Sequence, residues 1–240
     1  MKSLKFTALV LCASMLLSSC NMNNTGKGSL IGAGGGAALG SVIGALASNN
    51  KGKGAGIGAA VGSAVGAGVG ALIGKKMDKA KAAAEEVENA QVESVTDANG
   101  LQAVKVTFDS GILFATSSSS LSSNATASLA KFASTVLNVN KDMDVAIKGY
   151  TDNQPRKNST AAESVQKNLN LSKQRAEAVS SYLKQCGVSS SQIASVEGLG
   201  EADPVADNST KAGQEQNRRV EIYLYASQAM IEAAQAQSGN

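Results

Sequence analysis

Two stretches of this chain place glycine at every fourth position, and that period limits how the amino-terminal third can fold. Residues 28–48 carry no charge and have Gly at 28, 32, 36, 40 and 44; residues 54–74 have Gly at 54, 58, 62, 66, 70 and 74. Between them lies Asn49-Asn50-Lys51-Gly52-Lys53. In water such a segment is a poor helix, since each Gly costs about 1 kcal/mol relative to Ala. A strict period of four does something else: it gathers the glycines into one stripe along which two helices approach backbone to backbone. Each stretch is 21 residues, long enough as a helix to cross a hydrocarbon core of ~30 Å. The reading is a glycine-zipper helical hairpin over residues 28–74, its two halves antiparallel and turned at Lys51 to Lys53. A flexible linker would be polar, whereas Leu30, Ile31, Val42, Ile43, Val61, Val65, Val69, Leu72 and Ile73 are apolar. A phosphate-binding loop fails as well. No complete GxGxxG occurs there, and Gly74-Lys75 lacks both the Gly five positions earlier and a following Ser or Thr.

Ahead of the hairpin, Lys2 and Lys5 form a positive region, residues 6–17 an apolar one, and small residues lead to Cys20. This pattern is a secretory signal, too short for an ordinary membrane span. Leu17-Ser18-Ser19-Cys20 resembles a bacterial lipobox, which implies a signal peptide at 1–19 and a lipidated tether at 20–27 beginning with diacylated Cys20. Asn21 at the next position is compatible, by the sorting rule that resemblance implies, with transfer to the outer membrane. Residues 75–92, alanine-rich with Lys75, Lys76, Lys79 and Lys81 before Glu85, Glu86 and Glu88, read as a helical connector. Lysines beside a hydrophobic segment suit an interfacial stop.

The remainder alternates between two periods. A turn at Asp97-Ala98-Asn99-Gly100 precedes Val104, Val106 and Phe108 on one strand face. Ser122 or Ser123 caps a helix with apolar positions at Ala125, Leu129, Phe132, Ala133, Val136 and Leu137. Strands at 144–149, 193–196 and 219–225 follow, with a helix at 172–186 between the first two. The expectation is an α+β domain over residues 93–226, its helices packed on one face of a mixed β-sheet, with a frayed helix or tail at 227–240.

Within this domain one acid and one base stand at the mouths of ordered elements. Gly149-Tyr150-Thr151-Asp152 puts Asp152 just past the strand carrying Met143, Val145 and Ile147. Ser172 reads as the N-cap of its helix, which puts Arg175 in the first turn, beside free backbone N–H groups. The macrodipole disfavours a cation there; together with those donors it makes a corner suited to a carboxylate. A nearby Asp suits an ammonium. A ligand bearing both charges on one carbon, a zwitterionic amino-acid centre, satisfies the pair.

These residues resemble the OmpA-like domain. Further matches are Phe114-Ala115-Thr116-Ser117 before Leu121, Asn168-Leu169-Asn170-Leu171-Ser172 before Arg175, Gly198-Leu199-Gly200-Glu201, and Asn217-Arg218-Arg219-Val220-Glu221-Ile222. They recur in the family's order from about Lys105 to Leu224. Tyr150 stands where His is commoner, and Ala115 where Asp is common. The resemblance implies non-covalent binding of peptidoglycan through the free end of meso-diaminopimelate in its stem peptide. Asp152 would meet the ammonium and Arg175 the carboxylate, with Asn168, Leu171, Thr151, Phe114 and Ser117 completing the peptidoglycan-binding set. With lipobox and zipper, the layout resembles glycine-zipper OmpA-like lipoproteins of the YiaD type.

Composition removes several alternatives. The chain has no His, the commonest general base and metal ligand. Cysteines stand only at 12, 20 and 186, which leaves no disulfide framework or metal-ligand pair in the mature chain. Cys186, on an apolar helix face, reads as packed core. Residues 95–226 carry 13 basic and 13 acidic side chains, so there is no nucleic-acid footprint. The expected function is a non-enzymatic outer-membrane lipoprotein without cofactor or metal, its terminal domain in the periplasm. The alternative is a pore of zippers associating as a homo-oligomer; an ion-driven stator would need an ionisable group within its span, and neither zipper has one.

Overall fold

The computed structural model describes residues 66–97 and 100–238; the lipobox, the first glycine stripe and most of the second lie outside the described residues. The elements are α1 (Ala67–Glu85), β1 (Ala90–Thr96), β2 (Gln102–Asp109), the single turn α2 (Ser110–Leu113), α3 (Ser123–Phe132), β3 (Met143–Gly149), α4 (Ala161–Gln185), β4 (Ile193–Gly198), α5 (Lys211–Asn217), β5 (Arg219–Ala226) and α6 (Gln228–Ser238). Helix α3 runs on as a π-helical turn over Ala133–Leu137. The strands form one sheet in the order β1-β2-β5-β3-β4. The β1/β2, β2/β5 and β3/β5 pairs are antiparallel and β3/β4 is parallel. This is the α+β arrangement, with a mixed sheet, that the periods in the sequence imply.

Period-two alternation sends Val104, Val106 and Phe108 of β2, Val220, Ile222 and Leu224 of β5 and Val145 and Ile147 of β3 to one face. There they join Leu129 and Phe132 of α3, Val179 and Leu183 of α4, and Ile73 and Met77 of α1 in a single core. Phe108 and Phe132 meet edge to face with centroids 6.1 Å apart. The other face carries a smaller cluster of Ala103, Ala146, Tyr223 and Tyr225. Ser122 caps α3, its hydroxyl accepting from the Ala125 N–H at 3.0 Å.

Helix α4 departs most from expectation. It begins at Ala161, with Thr160 as N-cap in a reciprocal capping box with Glu163. Ser172 is therefore not a cap. It lies mid-helix, donating to the Leu169 carbonyl at 2.8 Å and accepting from the Gly200 N–H at 2.9 Å. Arg175 consequently stands far from the helix's first turn, and the dipole and free N–H argument does not apply to it. The physical reason is that residues 161–170 form a mostly solvated stretch, with Val165 and Leu169 exposed, so no apolar stripe marked its start.

The flanks differ as well. Helix α1 crosses the point, between residues 74 and 75, where zipper and connector were divided, and buries Val69, Gly70, Ile73, Gly74, Met77, Ala80 and Ala84. It ends at Glu85, and β1 starts at Ala90 after Asn89 at φ 63°, so residues 86–92 do not continue the expected connector helix. The carboxy-terminal stretch is a packed helix, not a frayed one: Met230, Ile231 and Ala234 of α6 join the core.

Candidate functional site

Two glycines let the site form. A Cβ at Gly149 would lie 2.2 Å from the Ser172 carbonyl oxygen, and one at Gly198 would lie 2.2 Å from the Lys173 nitrogen. Helix α4 thus rests backbone to backbone on the ends of β3 and β4, which sets Leu171 and Arg175 beside the chain leaving β3. That chain is stitched in place: Thr151 N–H donates to the Gly200 carbonyl at 2.7 Å, Leu199 N–H to that of Gly149 at 2.9 Å, and Tyr150 N–H to that of Arg219 at 2.9 Å. The Gly-Leu-Gly segment therefore fixes the Thr151–Asp152 corner.

A cavity of about 410 Å³ opens there, lined by Ser110, Gly111, Phe114, Thr116, Ser117, Thr151, Asp152, Gln154, Arg156, Leu171, Arg175 and Arg218. Six of the seven residues expected at a ligand site, Asp152, Arg175, Leu171, Thr151, Phe114 and Ser117, line it. Asn168 does not. It stands fully buried behind the wall, its amide donating to the Gln154 carbonyl at 3.3 Å while its oxygen accepts from Arg156 Nε.

Asp152 is 6% exposed. Its carboxylate accepts from the Gln154 N–H at 3.1 Å and pairs with the Arg218 guanidinium. A carboxylate offers about four lone-pair sites, so acceptor capacity remains. Arg175, 4% exposed, donates from Nε to the Ser118 carbonyl at 3.0 Å and lies 5.1 Å from the Phe114 ring centroid. Neither partner is anionic. Burial, then the neighbouring guanidinium groups of Arg156 and Arg218, push its pKa down to about 10 against the opposing pull of Asp152. An anion placed here would meet a guanidinium that is paired with no carboxylate among the described residues. Ser117, at the cavity wall, holds φ 57°, a conformation that costs a non-glycine residue about 1–2 kcal/mol.

Four lining residues were not foreseen: Ser110, Gly111, Gln154 and Arg156. Arg218, which the sequence shows only as part of the matched Asn217-Arg218-Arg219 run, is the partner of Asp152. Asn217 is the residue that orders a loop, accepting from the Val205 and Ala206 N–H groups at 2.8 and 3.0 Å. Arg219 stacks on Tyr150 at 3.7 Å and donates to Glu221 at 2.8 Å. Among the described residues no group of three or more His, Cys, Asp or Glu is placed to hold a metal ion.

Residues 113–218 match the OmpA family and residues 1–78 the YMGG-like Gly-zipper. Over 83 residues the chain is 46% identical to peptidoglycan-binding protein ArfA of Mycobacterium tuberculosis (strain ATCC 25618 / H37Rv), a match covering 35% of this chain and 23% of ArfA. Over 80 residues it is 48% identical to "Probable lipoprotein YiaD" of Escherichia coli (strain K12), covering 33% of this chain and 32% of that protein. The matched segment thus spans a third or less of these relatives. Among solved structures, the cell wall anchor of the T6SS from Pseudomonas aeruginosa is similar with a TM-score of 0.50 and 28% identity, over 63% of this chain and 97% of that one.

Proposed function

On the premise that residues 113–218 are an OmpA family domain behind a YMGG-like Gly-zipper, we propose that this chain is a non-enzymatic tether between membrane and cell wall. Lipid on Cys20 holds one end in the outer membrane. The terminal domain, in the periplasm, holds peptidoglycan at the other by capturing the free zwitterionic end of meso-diaminopimelate. One observation carries the reading: a buried carboxylate with spare acceptor capacity and a buried, unneutralised guanidinium face the same cavity. Asp152 accepts from the ligand's ammonium. Arg175 keeps four of its five N–H donors for the carboxylate, while Leu171 and Phe114 supply apolar wall for the methylene chain. Ser117 provides polar rim and Thr151 buried wall, and Asn168 acts from behind by fixing residues 152–156. That ArfA is named a peptidoglycan-binding protein, and YiaD a lipoprotein, supports the reading.

Co-sedimentation of the full chain with purified diaminopimelate-containing sacculi tests it. Hydrogen bonds to charged groups contribute about 1.5–3 kcal/mol, so Asp152→Ala and Arg175→Ala are each expected to weaken binding about ten- to a hundredfold. Asp152→Asn should be nearly as damaging, because charge matters more than size here. Arg175→Lys should fall between, keeping charge without the bidentate fork. Both alanine variants retaining wild-type melting and wild-type sacculus binding would sink the assignment.

A further inference from the structure

The charges around the cavity do not balance. Asp152 is the one carboxylate among its lining residues, against the guanidinium groups of Arg156, Arg175 and Arg218, which leaves an excess of two positive charges. A zwitterionic amino-acid centre brings one charge of each sign and leaves that excess where it was. Arg218 is matched by Asp152. Arg156 is held only by neutral groups: its Nε donates to Asn168 Oδ1 and its Nη1 to Ser117 Oγ at 3.2 Å, while its backbone N–H donates to Ser164 Oγ at 2.9 Å. These bonds carry the side chain from the 151–160 segment to the 115–118 turn, so a guanidinium is fixed in place with no anionic partner among the described residues.

A second observation points the same way. The hydroxyls of Ser110 and Thr151, 1% and 3% exposed, have no hydrogen-bond partner among the described residues, and both residues line this cavity. A buried hydroxyl without a partner costs about 1–3 kcal/mol, so the polar wall beside Arg156 is not satisfied by the described residues alone. We infer that the cavity takes a ligand with a second carboxylate beyond the zwitterionic centre, and that Arg156 is the specificity-determining residue that reads it. In a stem peptide that group is the α-carboxylate of the γ-linked glutamyl residue preceding diaminopimelate, which exists either free or amidated. The inference rests on the diaminopimelate reading above and narrows it to the unamidated peptide.

The test is calorimetric titration of the full-length chain in detergent with γ-D-glutamyl-meso-diaminopimelate, the diaminopimelate carboxyl beside the peptide bond amidated throughout, as the glutamyl free acid and as the glutamyl α-amide. Wild type is expected to prefer the free acid by about tenfold, the value of one charge-assisted pair. Arg156→Gln should lose that preference by weakening the free acid about tenfold more than the amide, and Arg156→Lys should restore part of it. A merely structural role for Arg156 would weaken both peptides together. Equal wild-type affinity for the two peptides, or a preference surviving in Arg156→Gln, overturns the second-carboxylate inference alone. Binding of neither peptide overturns the diaminopimelate reading and this inference with it.

Discussion

Arg218 and Arg219 are consecutive and serve different ends. Arg218 reaches the cavity and pairs with Asp152, whereas Arg219 joins Tyr150, Glu221 and the Asp203 carbonyl in a buried polar layer. Glu221 in that layer also accepts from the Tyr223 hydroxyl at 2.7 Å. Burial pushes its carboxyl upward, but hydrogen bonds from Tyr223 and Arg219 and the charges of Arg219 and Lys105 outweigh this and hold it below its ordinary 4.5. A carboxyl more acidic folded than unfolded contributes stability that is complete above its unfolded value and disappears as pH falls through its folded value. Melting temperature should therefore drop as pH falls below about 4.5. Glu221→Gln should flatten that part of the profile and cost about 3 kcal/mol at neutral pH by leaving Arg219 unmatched. An unchanged acid limb in that variant, followed by calorimetry from neutral pH downward, would remove Glu221 from the account. At this scale the sequence already displayed Asp152, Arg175, Thr151, Phe114 and Ser117, because each stands inside an ordered motif. Arg156 carried no such mark. A cation beside Lys157 in a polar segment looks solvated, and what places it are Asn168 and Ser117, 12 and 39 residues away.

Among the elements, the strands were legible and the long helix was not. β2, β3 and β5 alternate cleanly because one face of each meets the helices, and the core ladder of Val104 opposite Leu224 and Val106 opposite Ile222 follows from that alternation. Helix α4 exposes most of its first ten residues, so its apolar stripe starts only near Leu171. The signal that marks its true start is Thr160-x-x-Glu163, a capping box whose Thr160 hydroxyl accepts from the Glu163 N–H at 3.3 Å. The consequence reaches the site. Arg175 owes its position to the packing of mid-helix backbone on Gly149 and Gly198, and its orientation to Ser118 and Phe114. A methyl group at Gly149 would have to displace Ser172 backbone, which has no flexible end to give. Gly149→Ala is expected to destabilise the domain by about 1–3 kcal/mol, and to reduce sacculus binding even below its melting transition. Thermal melts paired with co-sedimentation would show this; a variant as stable and as well bound as wild type would mean that helix and strand can slide apart freely.

At the scale of the whole molecule, zipper and terminal domain are not joined by a separate linker. The four-residue glycine period continues into α1, where Gly70 and Gly74 are buried together with Val69, Ile73 and Met77. Those turns cannot fill the domain core and a hydrocarbon core at once. The stretch from Gly54 to Gly66 could reach only about 20 Å as a helix, short of the ~30 Å a membrane requires. Among the described residues, no helix is long and apolar enough to cross one. The turns from Ala67 onward therefore cannot belong to a membrane span while the domain keeps this fold. The same packing defines the folding unit. Val69, Ile73 and Met77 of α1 and Met230 and Ile231 of α6 are 3% exposed or less, and burying each contributes about 1.5–3 kcal/mol. That sum is comparable to the whole net stability of an ordinary domain, about 5–15 kcal/mol. A fragment of residues 66–238 should therefore melt cooperatively and bind sacculi, whereas residues 95–226, which lack α1, α6 and most of β1, should show neither a sharp melt nor binding. Equal melting temperatures for the two fragments, by circular dichroism, would place both helices outside the folding unit and return the end of the second glycine stripe to the membrane.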